Sequence, residues 1–203
     1  MKTPKLILAT LCTFVLITNG CILFERLEVH YKISSNLTGE SVLIFWGVSS
    51  DKKDAKMRMK EMKEFYDGGY LNEVEALKAG DDWIGKMFSV MDSLKIELFD
   101  KTDTTCNAKV HGKIRWLPSS LAALMSEEYD TGFMLQKVDD YLYVTIGVED
   151  VSDSDTSSIF TLEYDGNIVA HNANKYDATS NRLQWKWGKI QPPGIYFVLD
   201  IDS

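Results

Sequence analysis

Leu27, Val29, Tyr31 and Ile33 alternate with Glu28, His30, Lys32 and Ser34. This period of two limits the fold more than any other feature of the chain. Successive strand side chains point to opposite faces, so the pattern predicts a half-buried strand. Asn36-Leu37-Thr38-Gly39 supplies turn chemistry. Ser41 to Val48 (SVLIFWGV) is almost continuously apolar, the pattern of a strand buried on both faces. The same signals recur downstream. Leu94 to Phe99 and Ala108 to Trp116 flank the polar turn Asp100–Thr105 and predict a second hairpin. Phe133 to Val138 and Tyr141 to Val148 flank Asp139-Asp140, a loop length typical of tight hairpins. Ile159–Tyr164, Ile168–Ala170, Arg182–Trp187 and Ile195–Ile201 complete the series.

Between the first two hairpins the period changes. Asp51 to Tyr66 carries Ala55, Met59, Met62 and Tyr66 at helical spacing, with Ser50 or Asp51 as N-cap and Gly68-Gly69 as terminator. The expectation is an amphipathic helix with that stripe facing the core. Leu71, Val74, Ala76 and Leu77 suggest a short helix, and Trp83, Ile84, Met87, Phe88 and Met91 form a dense apolar cluster. Pro118 to Glu127 reads as another short helix with Pro at its first position. Clustered hairpins rather than βαβ alternation predict an α+β fold: one antiparallel sheet of about seven to ten strands, covered on one face by two or three helices.

The first residues carry an address. Lys2 and Lys5 precede the apolar run Leu6–Ile17, then Thr18-Asn19-Gly20-Cys21. A basic start, a short apolar stretch and a small residue before the cut are the parts of an export signal. A cysteine after the small residue suggests the lipoprotein form, with Cys21 as the acylated first residue of the mature chain. Thr18 and Asn19 depart from the usual residues ahead of such a cysteine, while Gly20 fits. Cleavage elsewhere and an uncleaved anchor are the alternatives, since Ile22-Leu23-Phe24 extend the apolar character. The division expected is residues 1–20 as signal and 21–203 as one extracytoplasmic domain, with a helical insertion over 51–92.

Loss of residues 1–20 removes Lys2 and Lys5 and no acid, so the net charge moves from −8 to −10. That balance argues against nucleic acid as a partner and against long-range attraction to anionic lipid head groups. Once Cys12 leaves with the signal and Cys21 is acylated, Cys106 is left as the remaining thiol. The alternative is a Cys21–Cys106 disulfide in an oxidising compartment.

Candidates for chemistry are sparse. His30, His111 and His171 have no ligand-spaced partners, so no metal site is expected. GxSxG, GxGxxG and P-loop patterns are absent. Glu127-Glu128 with Asp130, Asp139-Asp140 and Asp153/Asp155 read as solvated loops rather than calcium ligands or paired carboxylates. Asn36-Leu37-Thr38 fits the glycosylation pattern but sits in a turn of a chain read as bacterial, where it would be idle.

The order of motifs in the second half resembles that of LppM-type bacterial lipoprotein ectodomains. The likeness rests on the strand Ile159–Tyr164, then Asp165-Gly166-Asn167-Ile168-Val169, Asn172-Ala173 and Asn181-Arg182-Leu183-Gln184-Trp185. Asp165 stands where that family tends to have Pro, Ala173 where it has Gly, and Ser180 where a Gly precedes Asn181. Val110–Leu124 followed by Phe133–Val144 is similar too. The resemblance is strongest over residues 94–190. It implies an α+β ectodomain at a bacterial cell envelope, with lipid or glycolipid binding as a role. Such proteins often carry a membrane segment near the C-terminus. This sequence ends at Ser203 after a strand, so Cys21 would be its attachment.

These readings converge on a non-enzymatic, lipid-anchored envelope protein that needs no cofactor. It would bind an amphiphilic ligand between sheet and helices, with Met59, Met62, Trp83, Met87 and Phe88 as candidate lining residues. The alternative is a partner-binding lipoprotein without a pocket, using exposed strands or the strand of Trp185 and Trp187, which share a sheet face. A hydrolase is the third class, for which the sequence offers no nucleophile–base constellation.

Overall fold

The computed structural model describes residues 14–15, 21–72, 74, 88–123, 134–147, 158–186, 189 and 194–202. The strands are β1 (Phe14–Val15), β2 (Cys21–Leu23), β3 (Arg26–Ile33), β4 (Gly39–Ser50), β5 (Met91–Phe99), β6 (Thr105–Ile114), β7 (Met134–Val138), β8 (Tyr141–Gly147), β9 (Ile159–Tyr164), β10 (Asn167–His171), β11 (Lys175–Asp177), β12 (Arg182–Lys186) and β13 (Gly194–Asp200). Helix α1 spans Ala55–Glu64 and runs into a π turn, Phe65–Gly69; α2 spans Leu117–Ala123.

The expected α+β plan, one sheet under helices, is not what forms. The chain is mostly β and builds two sheets. In the larger, β5, β6, β4, β3, β9, β12 and β11 lie side by side, with β2 beside the end of β4 and β1 beside β2. The second sheet has the order β10-β13-β8-β7. The alternation that marks a strand says nothing about which sheet the strand joins, and a second sheet largely fills the covering role expected of helices. One buried cluster joins residues of both sheets, from Phe160, Leu162 and Trp185 to Val144, Phe197 and Leu199.

Register explains both faces of the larger sheet. Ile96, Val110, Leu43, Val29, Phe160 and Trp185 stand opposite one another on successive strands and line the inner face. Three rows further along, on the outer face, the partners are Asp92, Lys113, Glu40, Lys32, Glu163, Arg182 and Asp177. Charge alternates at every step of that row. Opposite charges directly across a strand pair contribute roughly 0.2–1 kcal/mol each, so the row favours this strand order and register. Lys32 Nζ lies 2.9 Å from Glu163 Oε1, the closest contact within it. The β3–β9 pair is parallel, whereas the other pairings are antiparallel.

Turn and cap chemistry place the elements. Leu37 adopts φ 63° in the β3–β4 turn, where Asn36 Oδ1 accepts the Thr38 amide at 3.0 Å. Asp139 adopts φ 51° in the β7–β8 loop. β4 alternates buried inner residues with half-buried Val42, Ile44 and Trp46, so it is not buried on both faces as expected. The helix starts later than predicted. Asp54, not Ser50 or Asp51, is the N-cap and accepts the Met57 amide at 3.0 Å. Ser50 instead hydrogen bonds the Glu61 carboxylate. Consequently Arg58, Glu61, Met62 and Phe65 face the sheet, while Ala55 and Met59 of the predicted core stripe are exposed. Gly68 kinks the π turn from within at φ 118°, a conformation that disfavours other residues, so Gly68-Gly69 does not stop the helix as expected.

Candidate functional site

The interface between α1 and the larger sheet was the expected ligand site. Met62 and Phe65 are buried there, and Tyr66 fastens the π turn to the β5–β6 loop. Its hydroxyl donates to the carbonyls of Thr102 (2.9 Å) and Thr105 (2.6 Å). Phe24 packs edge-on to Phe45, with ring centroids 5.2 Å apart. What remains between the layers is an apolar cavity of about 40 Å³, lined among others by Phe24, Phe45, Phe65, Val74, Phe88 and Val110. Ligand pockets occupy about 300–1,000 Å³, so this space suits a methyl group or a water rather than an acyl chain.

The candidate lining residues separate. Phe88 is 1% exposed and lines the cavity. Met62 is buried in the surrounding core but is not among the lining residues, and Met59 is 43% exposed on the far side of α1. Trp83 and Met87 lie outside the described residues.

A second concavity lies over β5 and β6. It is an open depression of about 710 Å³ lined by Glu40, Lys95, Glu97, His111 and Lys113, where the β5 register shifts between Asp92 and Lys95. Mixed charge and an open shape make it a solvated face. Nearby, Arg26 stacks 4.7 Å from the Trp46 ring centroid and reaches Glu28 at 3.0 Å, and Glu28 reaches His30 at 3.1 Å. Both His30 and His111 lie on the outer sheet face, half-buried among charged neighbours. Among the described residues, no group of three or more His, Cys, Asp and Glu side chains could hold a metal ion.

Cys106 is a free, buried thiol on the inner face of β6, so no bridge to Cys21 is made. Burial pushes its pKa up to about 11, which leaves little thiolate at neutral pH and makes it a poor nucleophile. Trp185 is 1% exposed and packs between Phe160 and Phe197, with ring centroids 5.5 Å and 5.8 Å away. It is core, not a docking surface; Trp187 lies outside the described residues. The acidic groups at 127–130 and 153–155 also lie outside them, while Asp139 and Asp140 occupy an exposed hairpin loop.

Cys21 opens β2, and its neighbour Ile22 is 2% exposed and pairs with Ser50. Nothing in the sequence patterning predicted β2, because three residues are too few to show a period. Cys21 therefore sits directly beside a buried core residue.

No family model matches the chain, and no curated protein matches it. Among solved structures, it is similar to the folded domain of the Mycobacterium tuberculosis LppM protein, determined by NMR. The identity is 11%, the alignment covers 86% of each chain and the TM-score is 0.45. A likeness that slight transfers no function.

Proposed function

We propose that this chain is an exported, non-enzymatic β domain held at a bacterial envelope membrane by acylation of Cys21. The observation that carries the reading is the junction itself. An export-type segment ends at Gly20, and Cys21 opens β2, where the neighbouring Ile22 is buried and pairs with Ser50. A cut before Cys21 removes from the described structure only β1, a two-residue strand at the margin of the larger sheet. Among the described residues, every buried core side chain lies on the mature side of that cut. The space of about 40 Å³ does not favour an amphiphile held between sheet and helix. The domain then acts through its surface.

The edge strand β7 favours contact with a partner as that surface role. Met134, Val138 and the facing Tyr141 are 49%, 40% and 38% exposed, and among the described residues β7 pairs on one side only, with β8. Edge strands with exposed apolar residues recruit further strands.

Metabolic labelling with an alkyne fatty acid tests the anchor. Wild-type chain should carry label in the membrane fraction, and Cys21→Ser should carry none. Equal labelling of both would remove Cys21 from the account.

A further inference from the structure

Positive charge collects in one place on this acidic chain. Between residues 51 and 64, Lys52, Lys53, Lys56, Arg58, Lys60 and Lys63 face four acids, Asp51, Asp54, Glu61 and Glu64. The acids are partly engaged. Asp54 caps α1, Glu61 bonds Ser50, and Glu64 pairs with Lys60 at 3.7 Å. At 3.6 residues per turn, Lys56, Lys60 and Lys63 fall within about 60° of arc, opposite the buried Met62 and Phe65. Met57 (61% exposed) and Met59 (43% exposed) flank that arc on either side. Met59, expected in the buried stripe, stands in solvent beside lysines instead, as does Met57, while Met62 is buried.

Position gives this surface its meaning. Ser50 both pairs with Ile22 in the sheet and holds Glu61 in the middle of α1. The helix is thereby pinned next to the strand whose first residue is Cys21. An anchor with no linker brings the bilayer to that edge of the domain. Lysines beside an anionic leaflet attract its headgroups within a Debye length, and soft methionine side chains enter the headgroup–acyl boundary.

We propose that α1 and the Lys52–Lys53 approach dock onto anionic lipid headgroups of the membrane to which Cys21 is attached. This rests on the Cys21 anchor, and it adds a second contact that fixes the orientation of the domain. The outer face of the larger sheet, with its alternating charges, stays in water.

The full chain, purified in detergent from membranes, is reconstituted into vesicles of neutral phosphatidylcholine or of phosphatidylcholine with phosphatidylglycerol. Lysine acetylation is then followed by mass spectrometry. Lys56, Lys60 and Lys63 should react at least about fivefold more slowly on anionic than on neutral vesicles, and roughly 0.5 M salt should restore their reactivity. Lys95, Lys109 and Lys113 on the outer sheet face should react alike on both. Equal rates at α1 on both vesicles, or protection that salt does not change, would overturn the docking. Retention on vesicles after the salt wash reads the anchor separately. Protein that washes off but shows α1 protection beforehand would sink the Cys21 reading and keep the docking.

Discussion

Trp185 Nε1 donates a 2.9 Å hydrogen bond to Asn172 Oδ1, and the same oxygen accepts the Tyr196 amide at 2.8 Å. The Asn172 amide nitrogen donates to the Gly194 carbonyl at 2.6 Å. One side chain thus ties β12 of the larger sheet to β13 of the second. Tyr164 adds a second tie through its hydroxyl, which donates to the Asp200 carbonyl at 2.6 Å. Asn172→Ala leaves the buried indole N–H without an acceptor and should lower stability by about 2 kcal/mol in urea unfolding. Asn172→Asp keeps the acceptor oxygen and should recover part of that loss. A loss below about 0.5 kcal/mol in the alanine variant would show that the tie is incidental.

Tyr31 is 1% exposed, and its hydroxyl has no hydrogen-bond partner among the described residues. Leaving such a group unpaired in the core costs about 1–3 kcal/mol. Tyr31→Phe removes the hydroxyl while keeping the ring that packs edge-on to Phe160, 5.6 Å between centroids. Thermal unfolding should show the variant at least as stable as the parent, by up to about 1 kcal/mol. A clear destabilisation would reveal a partner for that hydroxyl.

Alkali should weaken the domain. Burial raises the Cys106 thiol from 9.0 to about 11 and the Tyr164 hydroxyl from 10.0 to about 12, and it pushes Tyr31 up as well. The folded state holds these protons more tightly than the unfolded chain. Their contribution is therefore complete below about pH 9 and is lost as pH rises through the range 9 to 12. Urea midpoints measured from pH 8 to 11 should fall, and Cys106→Ser should flatten the lower part of that fall. In the native protein Cys106 should resist iodoacetamide at pH 8 until denaturant is added.

The cavity under α1 should be dry and unliganded. Native mass spectrometry of the membrane-purified protein in mild detergent should show the acylated chain with no further lipid held stoichiometrically. Ala108, which lines the cavity, is opposite Phe45 in the sheet. Ala108→Val should be tolerated within about 1 kcal/mol because its added methyl groups enter existing space. A bound lipid that this variant expels would restore the ligand-pocket reading.

Local patterns in the sequence located most strands because they repeat. Ile159–Tyr164 matches β9 residue for residue, and Asp139-Asp140 is the observed hairpin loop. Sheet membership was not legible, since Trp185 and Phe197 carry the same alternating signal although they belong to different sheets. β2 and β11, three residues each, were too short to show a period. The face of α1 was misread because Ser50 bonds Glu61, a contact across eleven positions that turns Arg58, Glu61, Met62 and Phe65 inward. At the candidate site the sequence pattern alone singles out Cys21. Its place one residue ahead of the buried Ile22 depended on the long-range pairing with β4.

The most direct measurement is the mass of the N-terminal peptide from chain purified out of membranes. The account predicts a peptide that begins at Cys21 and carries diacylglyceryl or triacyl mass on that residue. An unmodified peptide beginning at any other position, or a chain retaining residues 1–20, would contradict it.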